Sequence, residues 1–125
     1  MRVYVLRHAK AEKGEPDELR RLNDKGRDQA RKLAKELREV EFDAVLSSPL
    51  LRARETAELV SGRRPEIDDR LAPGATAEDV RGAVAGRGET VLVVGHNPDC
   101  PRIVAELTGG PEPDFPTCGL HVVEL

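Results

Sequence analysis

The chain has 125 residues, 34% of them charged, and a formal net charge of −3, a length that suits a single domain over 1–125 with one core and no inserted cap. Net acidity excludes a general nucleic-acid binder, which needs a broad basic face, so any anion site has to be a local cluster. No stretch approaches the roughly 20 apolar residues of a membrane span, and Met1 leads into a strand without a signal-peptide apolar region, so a cytoplasmic chain with no membrane partner is expected.

Tyr4, Phe42 and Phe115 are the only aromatic residues, so Leu, Val and Ala must supply the core. The first of these aliphatic runs, Val3 to Leu6, ends abruptly in Arg7 and His8, as a buried strand does when it delivers polar side chains to the edge of a parallel sheet. A polar loop, Lys10 to Glu18, follows, broken by Gly14 and Pro16. From about Asp24, Ala30, Leu33, Ala34, Leu37 and Val40 recur at helical spacing, while charged residues fill a solvated opposite face.

Phe42 to Ser47 reads as the second strand. Ser48-Pro49 then has the form of a helix start, a capping hydroxyl followed by proline at the first helical position. The helix after it carries Leu50, Leu51, Ala53, Ala57, Leu59 and Val60 and stops at Gly62; Arg52 lies in its first turn, where the positive end of the helix dipole disfavours a cation unless an anion sits nearby. Arg64 to Asp68 is weakly strand-like, and Leu71 to Thr76 is a loop. A small helix from Thr76 to Val84 has Thr76 as its cap and Asp79 at N3, short of a full capping box.

Thr90 to Val94 repeats the opening device, an aliphatic strand that stops at Gly95 and His96. Asn97-Pro98 offers a second cap-and-proline start for a helix with Ile103, Val104 and Leu107 on its buried stripe, ended by Gly109-Gly110. Pro111 to Pro116 is a surface loop, and Cys118 to Leu125 is expected to close the sheet at an edge. Strands alternating with helices imply right-handed crossovers and a three-layer α/β/α sandwich with a mostly parallel sheet and an edge strand. Cys100 and Cys118 are expected to be reduced, core-lining thiols.

Three successive strand ends thus collect Arg7 with His8, Ser48 with Arg52, and His96 with Asn97, in the region where open α/β sheets bind ligands. Paired guanidinium forks and helix-start N–H groups suit a phosphoryl dianion. His8, His96 and His121 lack close-spaced metal-ligand patterns, and His121, in the closing strand, is expected to be structural. Ser47-Ser48-Pro49 is not a nucleophile elbow, and no glycine-rich phosphate loop is present.

Leu6-Arg7-His8-Ala9, the segment Leu46 to Ala57, and Val94-Gly95-His96-Asn97-Pro98 resemble the three signature segments of the histidine phosphatase superfamily, with Ala9 where that family usually has glycine. The segment Arg20 to Gly26 and the ending Phe115 to Leu120 are similar to the short SixA-type phosphohistidine phosphatases. The resemblance implies a phosphoglycerate mutase-like fold, His8 as a nucleophile that becomes phosphorylated and is then hydrolysed, and Arg7, Arg52 and His96 as the residues that hold the phosphoryl group, with Arg20 a further substrate-binding candidate. A nucleophilic imidazole has to be neutral, and Arg7 and Arg52 are expected to lower the pKa of His8. No cofactor or metal is implied, since arginines can stabilise the transferring group.

An alkoxide leaving group needs a general acid, whereas the imidazole of phosphohistidine leaves more readily. Asp68, Asp69, Glu78 and Asp79 surround the region from which larger relatives recruit such an acid, but none stands in a matching pattern. With no acid and no lid, the expected pocket is shallow and open, and the expected partner is a phosphorylated protein such as a phosphotransfer domain carrying phosphohistidine. The alternatives are a small-molecule phosphomonoesterase acting on a sugar or nucleotide phosphate, and a non-catalytic phosphate-binding module.

Overall fold

The computed structural model describes all of residues 1–125. Its strands are β1 (Arg2–Arg7), β2 (Ala44–Ser47), β3 (Glu66–Ile67), β4 (Thr90–Gly95) and β5 (Leu120–Glu124); its helices are α1 (Asp24–Glu36), α2 (Leu51–Ser61), α3 (Ala77–Val84) and α4 (Asp99–Thr108). The strands form one sheet in the order β3-β2-β4-β1-β5, with every neighbouring pair parallel except β1 and β5. The closing strand therefore lies at an edge, as its alternating pattern suggests.

Side-chain alternation along the strands divides the core in two. Val3, Val5, Ala44, Leu46, Val91 and Val93 face α3 and α4, meeting Val80, Val84, Ile103 and Val104. Tyr4, Leu6, Val45, Leu92 and Val94 face α1 and α2, meeting Ala30, Leu33, Ala53, Ala57 and Val60. Both faces of the three central strands are covered, which is why those strands read as unbroken aliphatic runs rather than as apolar-polar alternation. Cys100 is buried and Cys118 half-buried, both as free thiols; burial pushes their pKa values up to about 12 and about 11.

Several boundaries differ from the sequence reading. Helix α1 ends at Glu36, so Leu37 and Val40 lie beyond its regular turns, yet both still pack against the α1–α2 side of the core. Strand β2 begins at Ala44, and Phe42 instead packs edge-on against Tyr4 with ring centroids 5.1 Å apart. The capping box of α3 is complete: Asp79 N donates to Thr76 Oγ1 and Thr76 N donates to the Asp79 carboxylate, so an aspartate at N3 reaches as far as the longer side chain usually found there.

Both cap-and-proline starts are corrected. Helix α2 begins at Leu51, with Leu50 at its N-cap and no side-chain cap; helix α4 begins at Asp99, with Pro98 at its N-cap and again no side-chain cap. Ser48 and Asn97 stand just outside these helices, and their polar groups have other partners. Glycine is needed for close approach at Gly26 in α1, where a Cβ would drive into the backbone of Lys10. Asn23 caps that helix through Gly26 N at 2.8 Å and donates its own N–H to the Lys10 carbonyl at 3.1 Å, fastening α1 to the chain just after His8.

Candidate active site

The register of the central strands assembles the site. Arg7 is paired with Gly95 across β1 and β4, and Ser47 with Val94 across β2 and β4. The next residues on the three strands, His8, His96 and Ser48, are therefore neighbours at one edge of the sheet. His8 N donates to the Gly95 carbonyl and Ser48 N to the Val94 carbonyl, both at 3.0 Å, so the pairing continues one step past the strands. The imidazoles of His8 and His96 lie with centroids 5.3 Å apart, inclined at 55°. Both rings are buried, and so is Arg52.

The tautomer of His8 follows from its neighbours. Its Nδ1 lies 2.7 Å from the Ala9 carbonyl oxygen; a carbonyl can only accept, so Nδ1 carries the proton and Nε2 holds the lone pair. Arg52 Nε approaches that Nε2 at 3.4 Å as a donor. Burial is the largest influence on this ring and, opposed only by the Ala9 carbonyl bond, it acts with the charges of Arg52, Arg7 and Arg20 to bring the pKa down to about 4. The sequence reading named arginines alone; desolvation outweighs them.

Ala9 is held in turn. Its N–H donates to Thr56 Oγ1 at 2.9 Å, and that hydroxyl donates to the Arg52 carbonyl at 2.7 Å, so the segment after His8 is fastened to the first turns of α2. On the other side, the His8 carbonyl accepts from Cys118 N at 3.0 Å.

Ser48 serves the second histidine rather than the helix. Its hydroxyl lies 2.7 Å from His96 Nε2 and accepts from Leu50 N at 3.2 Å, while His96 Nδ1 is buried with no partner. Burial first, then the nearby His8 and Arg52, lowers the pKa of His96 to about 3. Asn97 likewise gives its amide to the Phe115 carbonyl, at 2.9 Å, where it meets Arg7 Nη1 at 3.0 Å. Arg7 Nε is buried without a hydrogen-bond partner, leaving donor capacity that an oxyanion can use.

Arg20 stands at the rim. Its Nε donates to the Glu12 carbonyl at 2.7 Å and its Nη1 to Asp17 Oδ1 at 3.0 Å, and its charge is the smallest of those acting on His8. His121 lies apart from these two rings, its imidazole tilted against Phe115 with ring centroids 4.8 Å apart.

Asp68 and Asp79, two of the four carboxylates considered as acids, are engaged elsewhere. Asp68 is gripped by both Nε and Nη2 of Arg70, which holds its carboxyl below the usual range, and Asp79 completes the cap of α3. The carboxylate that does reach the site is Asp17, in the short 3-10 helix Asp17–Leu19, with Oδ2 at 3.3 Å from Arg52 Nη2 and its carbonyl at 3.0 Å from Arg52 Nη1. Nothing in the sequence reading singled it out, although its spacing three before Arg20 is that of an ion pair on a helical turn.

This arrangement offers a neutral nucleophile, an array of guanidinium donors and a second histidine around one small volume, inside a chain of net negative charge. The model of the histidine phosphatase superfamily (branch 1) matches residues 3–73. Phosphohistidine phosphatase SixA of Escherichia coli is 32% identical over the whole of this chain and 86% of its own length. A solved structure of the protein histidine phosphatase SixA complexed with tungstate superposes with a TM-score of 0.89 at 31% identity, covering 100% of this chain and 88% of that one. A phosphoserine phosphatase mutant of Entamoeba histolytica, solved with phosphoserine, has a TM-score of 0.79 over 97% of this chain and 89% of its own, and at 15% identity shows the fold alone.

Proposed function

The chain belongs to the histidine phosphatase superfamily, and from that membership we propose that it is a phosphatase acting through a phosphohistidine intermediate on His8, with protein phosphohistidine as its substrate. The observation that carries the reading is the state of His8: Nδ1 proton on the Ala9 carbonyl, Nε2 lone pair beside Arg52, and a pKa of about 4 that keeps the ring neutral at physiological pH. Such a ring attacks phosphorus through Nε2 without first losing a proton.

In the first half-reaction His8 Nε2 forms the new P–N bond as the substrate's leaving group departs. Arg7, Arg52 and His96 hold the phosphoryl oxygens where negative charge is spread in the transition state. The Ala9 carbonyl stabilises the positive charge that develops on the His8 ring, because Nδ1–H is already aimed at it. In the second half-reaction water attacks phospho-His8, and the ring returns to its neutral form. Arg20 closes the rim on the substrate side, where it orients the phosphorylated side chain.

The partner is a phosphorylated protein, of which a phosphotransfer domain carrying phosphohistidine in the cytoplasm is the fitting class. SixA, to which the whole chain is similar, is a phosphohistidine phosphatase, and no helix here is long and apolar enough to cross a membrane. A small-molecule phosphomonoesterase would draw on a carboxyl acid from the middle of the chain; Asp68 and Asp79 have their carboxylates in other bonds. The discriminating experiment is a panel of phosphohistidine peptide, sugar phosphates and nucleotides at equal concentration. Phosphohistidine should be hydrolysed far faster than the alkyl phosphates, and comparable rates on both would remove the substrate assignment.

A further inference from the structure

We infer that Asp17 is a further catalytic residue that selects for phosphohistidine, its carboxylate accepting the N–H of the distal ring nitrogen of the substrate's leaving imidazole. The inference rests on the substrate reading above and adds to it the group that acts on the leaving side.

The geometry lies along one edge of the Arg52 guanidinium. Its Nε faces His8 Nε2 at 3.4 Å, and its Nη2 faces Asp17 Oδ2 at 3.3 Å. Arginine binds phosphate through two such adjacent N–H groups. A phosphoryl group on that edge therefore has the nucleophile toward one end and the Asp17 carboxylate toward the other, where a leaving group has to depart.

Asp17 can surrender Arg52 to the phosphoryl group and remain anchored, because its other oxygen is 3.0 Å from Arg20 Nη1. Arg20 and Arg52 together hold its carboxyl below the usual carboxylate range, Arg20 being the larger influence. The charged and titratable groups that act on it, or on which it acts, are Arg20 on its own segment, Arg52 on α2 and His96 after β4. The only anion among them is Asp17 itself.

An ionised carboxylate beside the leaving group has opposite effects on two classes of substrate. An alkyl phosphate releases an alkoxide, whose developing negative charge the carboxylate opposes. Phosphohistidine protonated on its distal nitrogen releases neutral imidazole: the P–N electron pair returns to the ring, the distal nitrogen keeps its proton, and no further acid is needed. Charge balances across the transfer, since the positive ring of the substrate becomes neutral while the neutral ring of His8 becomes the positive ring of phospho-His8. Asp17 favours the protonated substrate on one side as the Ala9 carbonyl favours the Nδ1–H of phospho-His8 on the other.

The test compares kcat/KM for a phosphohistidine peptide with that for p-nitrophenyl phosphate, whose leaving group departs without a proton, in wild type, Asp17→Asn and Asp17→Glu from weakly acidic to alkaline pH. An opposite charge at this range shifts a pKa by about one to three units, so Asp17→Asn should lower the ratio of the two rate constants by at least about tenfold. The alkaline limb of the phosphohistidine kcat profile, which reports the ring of the bound substrate, should also move to lower pH, and Asp17→Glu should recover part of both effects. Equal loss on the two substrates would assign Asp17 to holding Arg52 alone and overturn the inference, as would an unchanged ratio. Wild-type enzyme inactive on phosphohistidine would instead remove the substrate reading and this inference with it.

Discussion

Acidification should destabilise this protein through its two buried histidines, His8 and His96, and replacing His8 should remove about half of that sensitivity. An imidazole in the unfolded chain takes up a proton around its reference pKa of about 6.5, whereas in the folded protein His8 resists protonation to about 4 and His96 to about 3. The unfolded state therefore binds more protons throughout that interval. The contribution is fully favourable to the fold above 6.5 and is lost as pH falls toward 4. Between pH 6 and pH 5 the loss works out at about 1.2 kcal/mol for each ring, or about 2.4 kcal/mol for the pair, a large share of a typical domain stability of about 5–15 kcal/mol. His8→Asn keeps a donor for the Ala9 carbonyl and removes the titration. Urea unfolding at pH 7, 6 and 5 should show the wild type losing about 1.2 kcal/mol more than the variant over the last step. Parallel pH dependences in the two proteins would refute the claim that His8 is held neutral by burial.

Arg52→Lys keeps a charge but loses the planar fork beside His8 Nε2, and kcat should fall by about 10²–10³, as when one transition-state donor is removed; steady-state kinetics on a phosphohistidine peptide would measure it. Ser48→Ala leaves His96 Nε2 buried without its partner, so urea unfolding should show a loss of about 1–3 kcal/mol, with a fall in kcat at unchanged overall structure. Gly26→Ala forces a methyl group into the Lys10 backbone, and thermal unfolding should report a loss at or above the upper end of about 1–3 kcal/mol. Activity should decline with it, because Lys10 follows His8 by two residues.

The strands and the edge they share were legible because their signal is dense. Val3 to Leu6 and Val91 to Val94 are buried on both faces, so nearly every residue had to be aliphatic, and the first polar residue after each run marks where the sheet ends. That pattern places His8 and His96 at one edge. Helix starts were misread for a physical reason: serine and asparagine are helix caps only when nothing else competes for their polar groups. Here Ser48 is taken by His96 and Asn97 by the Phe115 carbonyl, so both helices begin later and uncapped. Local rules gave way to the site, as expected where sequence preference meets function.

Asp17 was illegible for a different reason. It lies in a polar loop with no hydrophobic period, and only the folding of that loop over α2 brings it to Arg52. The carboxylates in the middle of the chain share only their region with the acids of larger relatives, and Asp68 and Asp79 among them have local structural tasks instead.

The central claim is that His8 itself carries the phosphoryl group between substrate and water. Rapid quenching of the enzyme with a radiolabelled phosphohistidine peptide measures this directly. The account predicts label on the protein that is lost in acid, survives alkali, maps to the peptide containing His8 and disappears in His8→Ala. Turnover without any labelled protein, or label that persists in His8→Ala, would contradict it.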